Sequence, residues 1–283
     1  MSDLSRQEEL AARSAQTDLA RHFAGVARLY GDAGAQRLAA AHVAVIGVGG
    51  VGSWAAEALA RSGVGTITLV DLDHIAESNT NRQIHALGDS FGRAKVEAMA
   101  ERIHAINPAA RVHAIDAFVT AENVAALLAG GFDSVLDCID EVRAKAALVA
   151  ACRAQRIALV TCGAAGGRLD PTRIRTDDLA HAEGDPLLAK LRHRLRRDYD
   201  YPSKSTDGRS AKFGVVAVFS DEPVRKPAAA CMPTDAVATD IGLAQGVSAP
   251  QGLSCSGYGS SVTVTAPMGF VAAAVAMWAI ARA

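Results

Sequence analysis

The chain has 283 residues, half of them hydrophobic and only 5% aromatic, with a formal net charge of −1. That length buries one large core, or one core with a smaller lobe. The Ala/Val/Leu-rich composition speaks for an α/β protein and against a β-sandwich, and the near-neutral sum leaves partners to local charge patches.

Five cysteines (Cys138, Cys152, Cys162, Cys231 and Cys255) form no C-x-x-C pair. This argues against a zinc knuckle or a thioredoxin-like motif, so no zinc is expected and a reducing cytoplasm suits the thiols. Residues 1 to 16 are charged and lack an apolar stretch, so no signal peptide is expected.

In chain order, residues 17 to 40 are expected to be helical, ending near the Gly31–Gly34 turn. His42 to Ile46 is a β-branched run that reads as a buried strand. A glycine turn follows, then an Ala/Leu-rich helix over Ser53–Ser62 and a second strand over Thr66–Asp71. This is a βαβ unit with parallel strands. The alternation continues with a helix over Gly92–Asn107, stopped by Pro108, and a strand over Arg111–Phe118. A helix over Ala121–Ala129, a strand over Asp133–Cys138, a helix over Val142–Arg156 and a strand over Ile157–Cys162 complete it. The rhythm predicts a doubly wound, mostly parallel sheet of Rossmann-like type.

After Gly163 the rhythm breaks. A strand is expected over Gly166–Arg175, a charged helix over Asp178–Arg197, and an isolated strand over Phe213–Ser220. Residues 221 to 259, rich in Pro, Gly and Ser, read as a long loop. Val262 to Ile280 holds no charge over 19 residues, enough for a spanning helix by length. Thr263, Thr265, Pro267 and Gly269 punctuate its first half, which predicts a strand and turn before a short helix. That helix is expected in the core or a subunit interface rather than in a membrane.

Gly47-x-Gly49-x-x-Gly52, with Gly50 inside it, follows a strand and opens a helix. Glycines let a backbone approach phosphate closely, and the helix N-terminus offers free N–H groups and partial positive charge. Asp71 ends the next strand 19 residues after Gly52, where a carboxylate accepts hydrogen bonds from ribose. By itself this motif suits NAD as well as ATP. Asp73, then Asn79, Arg82 and Gln83, then Lys95, tilt the choice. An NAD enzyme has no chemical need for a guanidinium and an ammonium beyond the ribose carboxylate, whereas an adenylating enzyme must stabilise departing pyrophosphate. Arg82 and Lys95 are the candidates for that work. Asp140 follows the fourth strand at the sheet's C-terminal edge, where it is either a ligand for ATP-bound Mg²⁺ or the N-cap of the next helix.

These stretches (GVGGVGS, LVDLD, NTNRQ, GRAKVEAMAERI, INP and DCID, in order) resemble the ThiF/MoeB group of ubiquitin-activating-enzyme-like proteins, strongly from Ala41 to Gly167. ARLYG at 27, KAALVAACR at 145, GAAGGRLDPTRI at 163 and CSGYGSSVTVTAPMGFVA at 255 are similar to its tRNA-modifying branch, the tRNA threonylcarbamoyladenosine dehydratases.

The resemblance implies ATP as substrate and an acyl-adenylate intermediate. The glycine turn (Gly47, Gly49, Gly50, Gly52), Asp71 and Asp73 would hold phosphates and ribose. Asn79, Arg82 and Gln83 would contact ribose and phosphates, and Lys95 the phosphates. Asp140 would face the Mg²⁺ side, giving Arg82, Lys95 and Asp140 catalytic roles. It implies a cytoplasmic homodimer, a tRNA substrate and a cysteine-desulfurase sulfur-relay partner. In relatives an N-terminal arginine reaches the neighbour's ATP; here Arg21 and Arg28 stand in a different local pattern. It also implies three parts: an N-terminal helical segment (1–40), an adenylation core (41–175), and a C-terminal part (176–283) that completes the sheet and the dimer interface. The C-terminal part is expected to hold a basic helix, a mobile loop and a terminal strand-helix.

Two rivals follow from the same residues: an adenylyltransferase for a ubiquitin-like sulfur carrier, and an NAD-binding oxidoreductase. The missing C-x-x-C pairs disfavour the first. From Ala189 to Lys212 eight Lys and Arg face three Asp, a local net of +5, which reads as a tRNA backbone footprint or as a solvated helix face. Cys231 and Cys255 are expected to be structural or incidental, although related activating enzymes use an acceptor cysteine.

Overall fold

A computed structural model describes residues 20–203, 211–225 and 258–283. Seven strands, β1 (His42–Ile46), β2 (Thr66–Val70), β3 (Arg111–Ile115), β4 (Ser134–Asp137), β5 (Ala158–Cys162), β6 (Ile174–Asp178) and β7 (Val216–Ser220), form one sheet. Its order is β3-β2-β1-β4-β5-β7-β6. Every neighbouring pair is parallel except β6 with β7. β1 pairs with both β2 and β4, so the strand order reverses there. That reversal opens a crevice at the strands' C-terminal ends.

The helices are α1 (Ala24–Ala40), α2 (Gly52–Arg61), α3 (Lys95–Ile106), α4 (Val124–Leu127), α5 (Val142–Gln155), α6 (Pro186–Asp198) and α7 (Val262–Arg282). Alternation along β1 sends Val43 and Val45 to one face, against Leu59, Met99, Met268 and Ala272. Ala44 and Ile46 go to the other, against Leu148, Leu188, Leu191 and Leu195. The sheet is thus covered on both sides, as parallel strands require.

Five expectations are corrected. The first helix does not end at the glycines: Gly31 adopts φ 75°, ψ 162°, and the helix resumes to Ala40. The strand near 166–175 begins only at Ile174, after a short 3-10 turn over Pro171–Arg173, and α6 begins at Pro186 rather than Asp178. Asp185 caps α6 by accepting from the Leu188 N–H, and Pro186 at the first helical position needs no hydrogen bond there. β7 is not isolated but lies between β5 and β6.

The fifth correction concerns the C-terminus, where the expected strand and turn are absent and one helix runs from Val262 to Arg282. The Ser261 hydroxyl caps it. Pro267 lies inside α7, which continues through it at the cost of one i→i−4 hydrogen bond. Gly269 marks a close approach and not a turn: a Cβ there would lie 2.4 Å from the Val51 carbonyl oxygen, at the head of α2. Although α7 is long and apolar enough to cross a membrane, most of its apolar core is buried within the protein. Arg37 of α1 donates its Nε–H to the Ala281 carbonyl at 3.1 Å, tying both ends of the chain together.

Candidate active site

The glycine turn leaves β1 at the crevice. Gly47 has φ 86°, and a Cβ on Gly52 would stand 1.8 Å from the Gly47 carbonyl oxygen, so both positions demand glycine. Gly49, Gly50 and Val51 line a cavity of about 710 Å³. The N-terminus of α2 carries no side-chain cap and no acidic residue in its first turn. The Ser53 N–H donates to the Gly49 carbonyl at 3.1 Å, and no side chain competes with an anion for the other amides at this helix end.

Gly47, Asp71, Asp73, Asn79, Arg82, Gln83, Lys95 and Asp140 line the same cavity. Of the nucleotide-site residues expected between Gly47 and Asp140, only Gly52 does not line it; it holds the turn's shape from behind. Asp71 accepts hydrogen bonds from the Val48 N–H (2.7 Å) and the Asp73 N–H (2.9 Å). Burial nevertheless pushes its carboxyl above the usual range, against the pull of Lys95 and those two donors. Lys95, the first residue of α3 and almost fully buried, pairs with Asp73 at 2.6 Å and stands 4.0 Å from Asp71.

Asn79 is buried and accepts from the Ala76 N–H at 3.0 Å, so its oxygen shapes the 3-10 turn Glu77–Asn79. That turn presents Arg82, whose guanidinium donates to the Ser78 carbonyl (2.6 Å) and to Asn81 Oδ1 (3.0 Å). The Arg82 carbonyl accepts from the Trp54 indole at 3.0 Å. Gln83 is buried, and its Oε1 has no partner among the described residues.

The two readings of Asp140 separate. Glu141 takes the cap of α5, accepting from the Arg143 and Ala144 N–H groups at 2.8 and 2.6 Å. Asp140 is left exposed at the cavity wall, with no hydrogen bond or ion pair among the described residues. Arg21 and Arg28 do not line this cavity. Cys231 and Cys255 lie outside the described residues.

Several contributors were not recognised in the sequence. Lys145, wholly buried, pairs with Asp137 at 2.8 Å and donates to the carbonyls of Asp137 (3.3 Å) and Ile139 (3.0 Å). It therefore fixes the bend that carries Asp140. Arg168 and Asp185, also wholly buried, pair at 3.0 Å. Asp185 accepts from the Ala164 N–H at 2.9 Å and Arg168 donates to the Ala164 carbonyl, which pins the loop after β5. Phe118 and Val119 after β3, Gly163–Gly166 after β5, Lys190 of α6, Tyr258 and Thr265 complete the lining. For the loops after β3 and β5 the sequence signal was position, at the C-terminal ends of strands, whereas Lys190 belongs to the basic stretch from Ala189 to Lys212 and Tyr258 and Thr265 to the motif beginning at 255.

The ThiF family profile matches residues 19–281. The chain belongs to the ThiF family. Among ThiF-family relatives it is 49% identical, over 91% of its length and 92% of theirs, to the tRNA threonylcarbamoyladenosine dehydratase of Escherichia coli (strain K12). It is 42% identical to the Haemophilus influenzae enzyme of the same name, over 89% and 90%. The crystal structure of the Escherichia coli tRNA N6-threonylcarbamoyladenosine dehydratase in complex with ATP superposes with a TM-score of 0.78 at 47% identity, covering 92% of this chain and 94% of that one.

Proposed function

We infer that the chain is an ATP-dependent tRNA threonylcarbamoyladenosine dehydratase that works through an acyl-adenylate. The observation that carries this reading is the convergence of the glycine turn, Asp71, Arg82, Lys95 and Asp140 on one cavity, in a chain matching dehydratases of that name nearly end to end.

The triphosphate lies over the glycine turn and the head of α2, with its ribose toward Asp71 and Asp73. Asn79 holds the 3-10 turn, and Gln83 offers its free carbonyl oxygen to the nucleotide. The substrate's threonyl carboxylate attacks the α-phosphorus and the bond to the β-phosphate breaks. Arg82 and Lys95 stabilise the charge that gathers on departing pyrophosphate, which in a partly buried site is worth far more than in water. The substrate's own carbamoyl group then attacks the activated carbonyl, loses its proton, and expels AMP. The ring closes with net loss of one water. Holding the internal nucleophile beside the mixed anhydride supplies much of the second step's acceleration.

Asp140, a hard oxygen donor with no partner among the described residues, suits Mg²⁺, which would neutralise phosphate charge when bound. On α6, Lys190, His193, Arg194 and Arg197 line one shallow groove beside the cavity, at the i, i+3, i+4, i+7 spacing of a single helix face. The opposite face buries Leu187, Leu188, Leu191 and Leu195. His193, Arg194 and Arg197 suit a tRNA phosphate backbone, while Lys190, at the stripe's inner end, also lines the cavity. We further propose a cytoplasmic homodimer, in which the exposed Leu29, Phe270 and Trp278 find cover and Arg21 or Arg28 reaches the neighbour's nucleotide. In this scheme residues 41–175 form the adenylation core, residues 1–40 the arm and residues 176–283 the RNA-facing part.

The test is incubation with ATP, Mg²⁺ and tRNA bearing the threonylcarbamoyl group, followed by nucleoside mass spectrometry. A mass loss of one water is expected. ATP–pyrophosphate exchange that needs a protein C-terminus and ignores tRNA would instead identify a sulfur-carrier adenylyltransferase.

A further inference from the structure

The crevice has two halves, and the nucleotide fills one. Asp71 ends β2, while Phe118 and Val119 follow β3, so ribose and adenine lie on the β2–β3 side of the glycine turn. Across the switch point, the other wall comes from the Gly163–Gly166 loop, Leu187, Lys190, Val224 and Tyr258. Its side chains are small or apolar apart from the single cation and the single phenol ring.

Tyr258 is 48% exposed and borders the cavity. The backbone just after it spans the crevice mouth. Gly167 donates its N–H to the Gly259 carbonyl at 2.9 Å. The Asn81 amide donates to the Ser260 carbonyl at 2.8 Å, and the Val262 N–H donates to the Asn81 carbonyl at 3.1 Å. A Cβ on Gly166 would sit 3.7 Å from the Tyr258 Cβ, so the loop runs directly beside this residue, and its glycines and alanines leave a narrow slot at the ring's side unfilled by any large side chain. The slot's floor is held by the buried Arg168–Asp185 pair.

A tethered, half-exposed aromatic ring beside a loop of glycine and alanine alone is a stacking platform for a flat base. We propose that Tyr258 and the Gly163–Gly166 loop seat the purine of the nucleoside being modified, with Lys190 facing its carboxylate-bearing substituent. This inference rests on the function above and adds to it the residues that receive the second substrate. The adenine of ATP is the competing occupant of the ring, and the two make opposite kinetic predictions.

The experiment compares wild type, Tyr258→Ala, Tyr258→Phe and Lys190→Gln in steady-state assays. Each is run with threonylcarbamoyl-tRNA and with the free modified nucleoside, at saturating ATP and then with ATP varied. Tyr258→Ala should raise the KM for both RNA and nucleoside about tenfold, the scale of one lost base stack. Its KM for ATP should stay within about twofold, since uniform binding of that substrate is untouched. Tyr258→Phe should restore wild-type values, because stacking needs the ring and not the hydroxyl. Lys190→Gln should weaken both substrates that carry the carboxylate. An unchanged KM for the nucleoside in Tyr258→Ala, or a rise in the KM for ATP instead, overturns the proposal. A wild type that turns over while these variants match it removes the inference alone; a wild type that never yields the dehydrated nucleoside removes the function as well.

Discussion

Lys95 Nζ lies 2.6 Å from Asp73 Oδ2 and 4.0 Å from Asp71 Oδ1, so a buried ammonium is shared between two carboxylates at the place where a triphosphate would lie. Phosphate oxygens must compete with Asp73 for that charge. Lys95→Gln is therefore expected to lower AMP formation by about 10²–10³-fold, the loss seen when a preorganised transition-state donor is removed. Pyrophosphate release under single-turnover conditions measures it, and turnover near the wild-type rate would remove Lys95 from the mechanism.

Arg82→Ala should abolish AMP formation and leave the fold intact. The side chain bonds only to its own loop, at Ser78 and Asn81, while the contact that ties the loop to α2 uses the Arg82 main-chain carbonyl. That carbonyl survives the substitution. A circular-dichroism melt within a few degrees of wild type, beside absent AMP, is the expected pair of results.

Lys145→Met should cost about 3–5 kcal/mol, because it leaves the fully buried Asp137 carboxylate without its cation. The double variant Asp137→Leu with Lys145→Met should recover much of that loss, since no unpaired charge remains. Urea denaturation reads both. Equal destabilisation of single and double variants would mean that the carbonyl bonds to Asp137 and Ile139 matter more than the ion pair.

Gly269→Val should push α7 away from the head of α2, because even a Cβ meets the Val51 oxygen at 2.4 Å and the Ala55 nitrogen at 2.9 Å. Overpacking of this kind costs about 1–3 kcal/mol. Val51 lines the cavity, so the KM for ATP should rise with it. A stable variant with unchanged KM would show that the two helices slide apart without disturbing the phosphate turn.

His85 carries a pH dependence with a definite sign. Burial lowers its pKa from 6.5 to about 4, with Lys95 and Arg102 adding repulsion, and neither ring nitrogen has a partner among the described residues. The unfolded chain takes up a proton near pH 6.5 that the folded chain refuses until about pH 4. Stability is therefore full above pH 6.5 and falls as pH drops through that window, by up to ~3 kcal/mol. Denaturation midpoints at pH 7.5 and pH 5 test this, and His85→Leu should flatten the difference.

The sequence by itself determined the parallel strands β1 to β5 and the glycine-turn side of the cavity. Both rest on local signals: a 2-residue or 3.6-residue period, and a glycine turn whose chemistry needs only its immediate neighbours. Asp71, Arg82 and Lys95 were legible because their spacing from that turn places them at strand and helix ends.

Tertiary structure decided the rest. Glu141, one residue along, took the cap that would have occupied Asp140. Gly269 read as a turn because nothing local shows that another helix passes within van der Waals distance. Nothing local marked Lys145 and Arg168 as interior cations, because their carboxylates lie 8 and 17 residues away in the chain. Tyr258, adjoining a Gly/Ser-rich stretch, gained meaning only when α7 and the loop after β5 brought it to the crevice. Burial and long-range pairing depend on what the chain meets after it folds back on itself, and no window of neighbouring residues encodes that meeting.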